Sequence, residues 1–401
     1  MPTTRVAALP RQLSRRTHRT HVAAVTAPRF RKASTVMPQS LGPLLRRATV
    51  GVLALTALWL PGGPPAAASA APPAPEAGGI AFAERYHALQ HGGIVRAANS
   101  SVTCRPAPGQ GGPSCPAAQA GEQGTNGDFD TSYIDVDDDP NTYNSSRAEV
   151  RLPAGSRVTY ARLYWGGNLR VGEQKPPQDD GRVLVAEPGG SYKELIADTV
   201  VGHRVADGAD AFQASADVTG LVRESGPGPY TVAQVNVAGG RSRAGAWGGW
   251  TLVVAYENPA EPLRDIALWD GFAPLSSGAQ EMRLNHLRYP AGAGGRVGLV
   301  AYNGDRGTTG DSLTLTAGHA APVDLAGPGN PADDVLNSTI SEPGDATARV
   351  PAYGNTLGYD SDVFDLAGLL RDAGDQATFR LRSQRDAAWA GVLFAAVDAR
   401  R

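Results

Sequence analysis

Two stretches of this chain repeat the same order of motifs. Residues 217–256 open with Asp217-Val-Thr-Gly-Leu and pass through an Arg-acid-x-Gly turn to Ala246-Trp-Gly-Gly and an apolar run. Residues 365–397 open with Asp365-Leu-Ala-Gly-Leu and pass through the same kind of turn to Ala388-Trp-Ala-Gly and a second apolar run. Self-similarity of this kind indicates an internal duplication. We therefore expect two related structural units.

The composition indicates that these units are built from strands. The 401 residues include 49 Gly and 31 Pro, which favour many short strands joined by turns over long helices. Residues 158–165 mix β-branched and aromatic side chains, as a partly buried strand does. We predict an all-β fold of two tandem, internally duplicated antiparallel β-sandwich units, jelly-roll-like and packed side by side. The first would span residues 80–262 and the second residues 263–401.

A few short helices are expected among the strands. Ile80–Gln90 has the composition of a short helix, and the first strand would follow it from Gly92. The two repeated motifs, Asp217–Arg223 and Asp365–Arg371, each predict a short helical turn with an Asp N-cap.

The first 70 residues predict a secretory signal. Arg46 and Arg47 precede an apolar run that ends in a Pro/Ala/Gly segment and a small-x-small pattern at Ala68-Ser-Ala70, as signal peptides do. Met37 would be a true start that leaves a compact signal, and the Arg pair leaves open Sec or twin-arginine export. Residues 71–79 predict a Pro/Ala linker. We expect an extracellular protein, secreted or loosely associated with the cell surface.

Removal of this segment makes the protein strongly acidic. Residues 1–70 hold ten Arg or Lys and no Asp or Glu, which leaves 27 basic against 39 acidic side chains and a net charge of −12. A surface of this sign repels phosphate backbones, so nucleic acid is not an expected partner. The apolar run of the signal is too short to span a membrane, so the mature chain is not expected to be an integral membrane protein.

The two cysteines, Cys104 and Cys115, lie in the exported part and flank a Pro/Gly-rich spacer. In an oxidising compartment a disulfide that closes this loop is expected. Two thiols alone do not fill a zinc site.

An acidic run between the cysteines and the first long strands suggests a cation site. Asp135, Asp137 and Asp139 alternate along the chain and Asn141 follows, so their oxygens could converge on calcium. Pro140 stands where an EF-hand has its turn glycine, and the bidentate Glu is missing. The alternatives are a loop-rigidifying calcium and a solvated acidic turn. No other cofactor is expected.

The sequence motifs of known catalytic sites do not match this chain, and we assign no catalytic residue. Gly310-Asp-Ser-Leu313 matches the nucleophile signature of one esterase class, but the Asp-x-x-His that should follow it is missing. We interpret it as a turn into a strand. Paired carboxylates for glycoside hydrolysis stay open, because they depend on distances that a sequence does not give. The acids considered are Asp207, Asp210, Asp265, Asp270, Asp360 and Asp362.

The tryptophans supply candidates for ligand binding. Trp247 and Trp389 hold equivalent places in the two copies, which predicts core anchors. Trp250 and Trp269 have no clear counterparts, so we take them as the candidates for stacking on a sugar ring.

Several motifs resemble a known family. They are Gly93-Ile-Val-Arg-Ala-Ala-Asn, Tyr133-Ile-Asp-Val-Asp, Thr142-Tyr-Asn-Ser-Ser, and above all Ala161-Arg-Leu-Tyr-Trp-Gly-Gly167. Together they resemble the N-terminal β-rich module of actinobacterial secreted and cell-surface proteins, which often carry DUF11-type repeats and a wall anchor. The resemblance implies an exported surface protein of uncharacterised activity. This sequence carries neither the repeats nor an anchor motif, so covalent wall attachment is not expected.

These observations favour a secreted or cell-surface, non-enzymatic structural or adhesion module. The alternative is a carbohydrate-active protein, either a glycan-binding module or a glycoside hydrolase with paired carboxylates. Its expected partners are a cell-wall glycan or a surface protein.

Overall fold

The computed structural model describes residues 80–107, 112–137, 139–327, 329–344 and 348–400. The predicted signal and the Pro/Ala linker lie outside these residues. Within them the chain forms twenty strands, two short α-helices and three 3₁₀ helices. The α-helices are α1 (Cys115–Gln119) and α2 (Thr219–Ser225), and the 3₁₀ helices are Asn126–Asp128, Pro177–Asp179 and Leu275–Ser277.

The strands follow one another with short connections. Those of the first half are β1 (Ala83–Ser100), β2 (Val102–Cys104), β3 (Thr131–Tyr133), β4 (Ser145–Val150), β5 (Arg157–Asn168), β6 (Arg182–Ala186), β7 (Lys193–Ile196), β8 (Thr199–Ala206), β9 (Ala209–Asp217), β10 (Gly228–Ala233) and β11 (Gly248–Glu257). Those of the second half are β12 (Leu263–Pro274), β13 (Gln280–Tyr289), β14 (Gly295–Tyr302), β15 (Ser312–Ala317), β16 (Val323–Asp324), β17 (Arg349–Val350), β18 (Tyr359–Asp365), β19 (Gly374–Arg382) and β20 (Trp389–Asp398).

The long strand β1 joins two sandwiches. Residues 92–100 of β1 pair with β11, and residues 83–91 pair with β12. This creates a nine-stranded sheet with the order β18-β14-β20-β12-β1-β11-β5-β9-β8. Each half of this inner sheet is covered by an outer sheet, one with the order β17-β4-β10-β6-β7 and the other with the order β13-β19-β15-β16.

The strand order shows the duplication directly. The inner order β1-β11-β5-β9 in one sandwich corresponds to β12-β20-β14-β18 in the other. The outer order β4-β10-β6-β7 corresponds to β13-β19-β15-β16. All strand pairs are antiparallel, so the predicted all-β fold of duplicated antiparallel sandwiches is confirmed. A boundary at residue 262 stays a prediction, since β1 contributes to both sandwiches and β17 pairs with β4.

Two apolar clusters fill the interiors of the sandwiches. One contains Trp165, Phe212 and Trp250, and the other contains Phe364 and Phe379. Burial of one large side chain stabilises a fold by about 1.5–3 kcal/mol, so these clusters supply most of the driving force for folding.

A third cluster packs the two halves of the inner sheet against each other. It contains Trp247, Phe272, Tyr302, Tyr359 and Trp389, and the Phe272 and Trp389 rings stack with centroids 4.9 Å apart. Because Trp247 and Trp389 are both buried here, the prediction that they are core anchors is confirmed.

The prediction of a helix over Ile80–Gln90 is wrong. From Ala83 onward this segment is extended and pairs with β12, with Tyr86 opposite Leu268. The Ala, Glu, Arg and Gln residues of this segment have a weak preference for a helix. The backbone hydrogen bonds that the segment forms with β12 outweigh this helix propensity.

The repeated Asp motif precedes a short helix in the first copy only, and the predicted Asp N-cap is wrong there, because Val218 occupies the N-cap position. Asp217 accepts the N–H of Thr219 at 2.8 Å ahead of α2, and Asp365 accepts the N–H of Ala367 at 2.9 Å. A regular helix follows only in the first copy. No helix among the described residues is long and apolar enough to cross a membrane.

Candidate functional site

A cleft of about 700 Å³ opens where β1 passes from one sandwich to the other. We call it the inter-sandwich cleft. Residues 93–96 of β1 and residues 294–296 at the start of β14 line it, together with the 149–153 turn and the 342–343 segment. Tyr256 lies against β1, where a side chain on Gly93 would meet the Tyr256 hydroxyl at 2.7 Å.

Charged groups of both signs line the inter-sandwich cleft. The arginines are Arg96, Arg151, Arg264 and Arg296, and the acids are Glu149, Glu261, Glu342, Asp365 and Asp398. Guanidinium groups only donate hydrogen bonds and carboxylates only accept them. The cleft therefore presents donors and acceptors side by side.

Arg264 fixes one wall of the cleft. Its Nε donates to Asp398 at 3.0 Å, and its Nη1 donates to Glu261 at 3.0 Å and to the carbonyl oxygen of Gly92 at 2.6 Å. These bonds tie β12, β1 and the C-terminal strand together. The wall is consequently held rigid before any ligand binds.

Arg96 supplies a positive charge on the β1 side of the cleft. Its side chain is 3% exposed, and Nη2 donates to the carbonyl oxygen of Ser341 at 2.8 Å. Burial lowers the pKa of Arg96, while the negative charges of Glu342 and Asp362 oppose this. An arginine still remains charged at physiological pH.

Trp250 and Trp269, the two tryptophans that we predicted to stack on a sugar ring, lie outside the inter-sandwich cleft. Trp250 is fully buried, and its indole N–H donates to Ser146 at 2.8 Å, so no ring face is open to a ligand. Trp269 is half-buried on β12 and packs against the core of the second sandwich. Neither residue lines the inter-sandwich cleft.

The acidic run is held by donors from its own loop. Asp135 accepts from Ser145 at 2.8 Å, and Asp139 accepts the backbone and side-chain N–H groups of Asn141 at 2.9 and 2.7 Å. Among the described residues no group of three or more Asp, Glu, His or Cys is arranged to hold a metal ion. Calcium binding at this loop stays a prediction.

Asp137 has the most contacts in this run. It accepts the N–H of Asp139 at 3.0 Å and the hydroxyl groups of Thr142 and Tyr192. Burial acts to raise the pKa of Asp137, but the hydrogen bonds from Tyr192 and Asp139 outweigh burial and hold the pKa below its usual value.

The predicted disulfide is confirmed. Cys104 and Cys115 are bonded, with their Cα atoms 5.6 Å apart. Both lie in a small separate core with Ala118, Phe129 and Leu357. The segment from Cys115 to Phe129 therefore packs as a module of its own, which we call the disulfide module.

The serine of the esterase-like motif has no activating base in the described residues. Ser312 is the first residue of β15, and its Oγ accepts a hydrogen bond from Arg382 Nε at 2.9 Å. A nucleophilic serine instead donates its proton to a base.

Of the acids considered for hydrolysis, Asp360 and Asp362 lie close together, where Thr339 donates hydrogen bonds to both, and the other four have different partners. Asp265 contacts His87 at 3.0 Å, Asp210 contacts His203 at 3.0 Å, and Asp270 accepts from Arg85 at 2.8 Å. Asp207 is exposed in a turn, while Asp360 and Asp362 are buried on β18. These six acids do not line the inter-sandwich cleft.

The structure brings together carboxyl groups that the sequence did not single out as a set. Loops at one end of the second sandwich bury Asp311, Asp334 and Asp386. Burial raises the pKa of Asp311 to about 7 and that of Asp386 to about 9, with their mutual charge adding to the effect on Asp386. In the sequence, the feature that points to this cluster is the pair of polar turns, Gly-Asp-Arg-Gly and Gly-Asp-Ser, within residues 304–312.

Comparisons with known proteins give several distant structural neighbours. No family model and no curated protein matches the chain. PNGase F, a glycosylasparaginase from Flavobacterium meningosepticum, aligns over 66% of this chain and 94% of its own, with 14% identity and a TM-score of 0.18. The CBM22-1–CBM22-2 tandem domain of Paenibacillus barcinonensis Xyn10C aligns over 81% of this chain and 100% of its own, with 8% identity and a TM-score of 0.18. Similarity this low does not bear on the function of this chain.

Proposed function

We propose that this protein is an extracellular, non-enzymatic binding module that takes a glycan into the inter-sandwich cleft and acts in surface adhesion. The observation that carries the proposal is the chemistry of the cleft: about 700 Å³ of space lined by four arginines and five acids. Pockets of this size accommodate small ligands. The resemblance to exported surface modules and the predicted signal support an extracellular setting.

A polyhydroxylated ligand matches this lining. Each hydroxyl group both donates and accepts a hydrogen bond, so it can bridge a carboxylate and a guanidinium group at once. A phosphate ligand would favour positive charges alone, and an apolar ligand would favour a hydrophobic lining. Arg151, Arg296 and Glu342 all line the cleft and offer donors and acceptors for such bridges.

Binding without hydrolysis fits the acids of the cleft better than catalysis. Glycoside hydrolysis needs one carboxyl group that holds a proton and a second that faces it across the bond. Arg264 engages Glu261 and Asp398, and Arg151 engages Glu149 at 3.1 Å. These three carboxylates are therefore already engaged in ion pairs within the cleft wall and are not free to face each other across a glycosidic bond.

Co-sedimentation tests the proposal. The purified intact protein is incubated with insoluble peptidoglycan, chitin or cellulose, and the bound fraction is measured against polymer concentration. We expect selective binding to one polymer. Arg296→Ala and Glu342→Gln each remove charge-assisted hydrogen bonds worth about 1.5–3 kcal/mol, so each should weaken binding about tenfold or more.

Matched variants away from the cleft provide the controls. Arg283→Ala and Glu194→Gln remove exposed charges on the outer sheets and should leave binding unchanged. Equal weakening by cleft and control variants, or no pelleting with any polymer, would refute glycan binding at the cleft. Release of new reducing ends from the bound polymer would show a hydrolase instead.

A further inference from the structure

Two buried carboxyl groups lie in contact at one end of the second sandwich. Asp311 is completely buried, and Asp386 is 7% exposed. Ser383 links them, because its Oγ donates to Asp311 Oδ1 at 2.7 Å and lies 3.2 Å from the carbonyl oxygen of Asp386. Asp311 Oδ2 is buried and receives no N–H or O–H donor among the described residues, and the Asp386 side chain lies within hydrogen-bonding reach of the Asp311 side chain.

Such a contact is favourable in only one charge state. Two ionised carboxylates both accept hydrogen bonds and repel each other, whereas one proton between them makes a donor and an acceptor. Neither residue lines the inter-sandwich cleft or the two clefts beside His203. The pair is therefore placed to hold structure together and not to act on a substrate.

The surrounding charges favour the protonated form. The acids that face the pair or its neighbours are Asp128, Asp305, Asp333, Asp334, Asp360 and Asp362, and the cations near them are Arg96 and Arg306. The charge of Arg306 acts on Asp334 and the charge of Arg96 acts on Asp362, so both cations face neighbours of the pair. Burial and the excess of negative charge both disfavour ionisation of the pair.

A chain of hydrogen bonds connects the pair to the disulfide module. Asp386 Oδ2 accepts the N–H of Asp305 at 3.0 Å, and Asp305 Oδ1 accepts the N–H of Asn126 at 2.9 Å. The Asn126 side chain donates to Asn303 Oδ1 at 2.7 Å, and the Asn303 side chain donates to the carbonyl oxygen of Ala387 at 3.0 Å. The disulfide module thus depends on the position of the loop that carries Asp386.

We propose that Asp311 and Asp386 share a proton and form a pH-sensitive latch that holds the disulfide module, residues 115–129, against the second sandwich. The latch is closed when the pair carries its proton. It loosens when the proton is lost, because two adjacent buried charges then repel each other and the hydrogen bonds through Asp305 to Asn126 shift with them. This inference does not depend on the proposed ligand.

The sign of the effect follows from the folded pKa values. Burial, the first cause for both groups, raises the pKa of Asp311 to about 7 and that of Asp386 to about 9, above the value of about 3.9 expected after opening. The closed state therefore keeps protons that the open state releases. Closure is most favourable below the open-state pKa of about 4, weakens as the pH rises above it, and is no longer favoured by the pair once the pH has passed the folded values of about 7 and about 9.

Hydrogen exchange of the purified intact protein tests the latch. Protection of the amides in residues 115–129 is measured at pH 5.5, 7.0 and 8.5 and corrected for the intrinsic exchange rate. For one retained proton the opening equilibrium should rise about tenfold per pH unit. Asp386→Asn supplies a permanent neutral donor and removes the proton that the pair shares, so the opening equilibrium should rise clearly less steeply with pH than in the wild type.

A nearby exposed acid provides the control. Asp333→Asn changes an exposed side chain next to the cluster and should keep the pH dependence of the wild type. If Asp386→Asn does not fold, Asp311→Asn tests the same contact. Protection that is independent of pH in the wild type, or equally dependent on pH in the Asn variant, would overturn the latch. Restoration of protection at pH 8.5 by 5 mM calcium would also overturn it, since the acids would then form a cation site.

Discussion

The packing of the two sandwiches predicts that substitution of one buried glutamine strongly lowers the free energy of unfolding. Gln213 on β9 crosses the interface between the two halves of the inner sheet. Its Nε2 donates to the carbonyl oxygen of Gly271 at 2.9 Å, and its Oε1 accepts the hydroxyl of Tyr302 at 3.1 Å. Gln213→Leu keeps the volume but leaves both partners without this bond. A buried polar group that loses its partner costs about 1–3 kcal/mol, so we expect a loss of about 3 kcal/mol in the free energy of unfolding.

Urea unfolding of single and double variants measures this. Tyr302→Phe alone leaves Gln213 Oε1 without its donor, and the double variant no longer leaves the Tyr302 hydroxyl unpaired. The double variant should therefore be about 1 kcal/mol more stable than additivity predicts. Gln376→Leu, an exposed substitution on β19, should change the free energy by less than about 0.5 kcal/mol. A loss below about 1 kcal/mol for Gln213→Leu, or strict additivity, would refute the face-to-face packing.

Three further stability changes follow from the structure, each measured by urea unfolding. Replacement of both Cys104 and Cys115 by Ser should lower the free energy of unfolding by about 3 kcal/mol, because the disulfide closes a loop with a sequence separation of 11. Reduction of the wild-type protein should cause the same loss. Gly391→Ala places a methyl group onto Gln213 Oε1 and should cost about 1–3 kcal/mol by overpacking; an unchanged midpoint would contradict the packing. Trp250→Phe removes the indole hydrogen bond and leaves a cavity, for a loss of about 2 kcal/mol, whereas a neutral effect would mean that the ring is not a core element.

The duplication could be predicted because its signals are local. The Asp217 and Asp365 motifs each set a turn through one side-chain to backbone bond. Trp247 and Trp389 each precede or begin an apolar strand. Spacing along the chain records such features, so the duplication could be predicted, whereas the order of the strands within each sheet could not.

Strands whose composition is polar escaped prediction. β9 and β18 carry Asp, Ser and Ala in place of the usual β-branched residues, yet both are buried almost throughout. Asp362 on β18 accepts bonds from Thr339 and Ser341, and only the fold supplies those donors. The helix prediction for residues 80–90 was wrong for a related reason, since the strand β12 that pairs with this segment lies far along the sequence.

The candidate site could not be predicted from any motif. The inter-sandwich cleft joins Arg96, Arg151 and Arg296 with Glu342, and these lie in four separate segments with no shared pattern. The contact between Asp311 and Asp386 likewise depends on two loops of different strands. Trp250 was misleading because an aromatic residue without a counterpart in the second copy can still be a core residue.

The most direct test of glycan binding in the inter-sandwich cleft is a hydrogen-exchange footprint with the polymer that pellets the protein. Backbone amides are compared with and without soluble fragments of that polymer at a saturating concentration. We predict slower exchange at residues 93–96, 149–153 and 294–296, and much less of this slowing in Arg296→Ala than in the wild type when the ligand concentration is lowered to the wild-type Kd. Slowing confined to other surfaces, with these three segments unchanged, would contradict the cleft as the binding site.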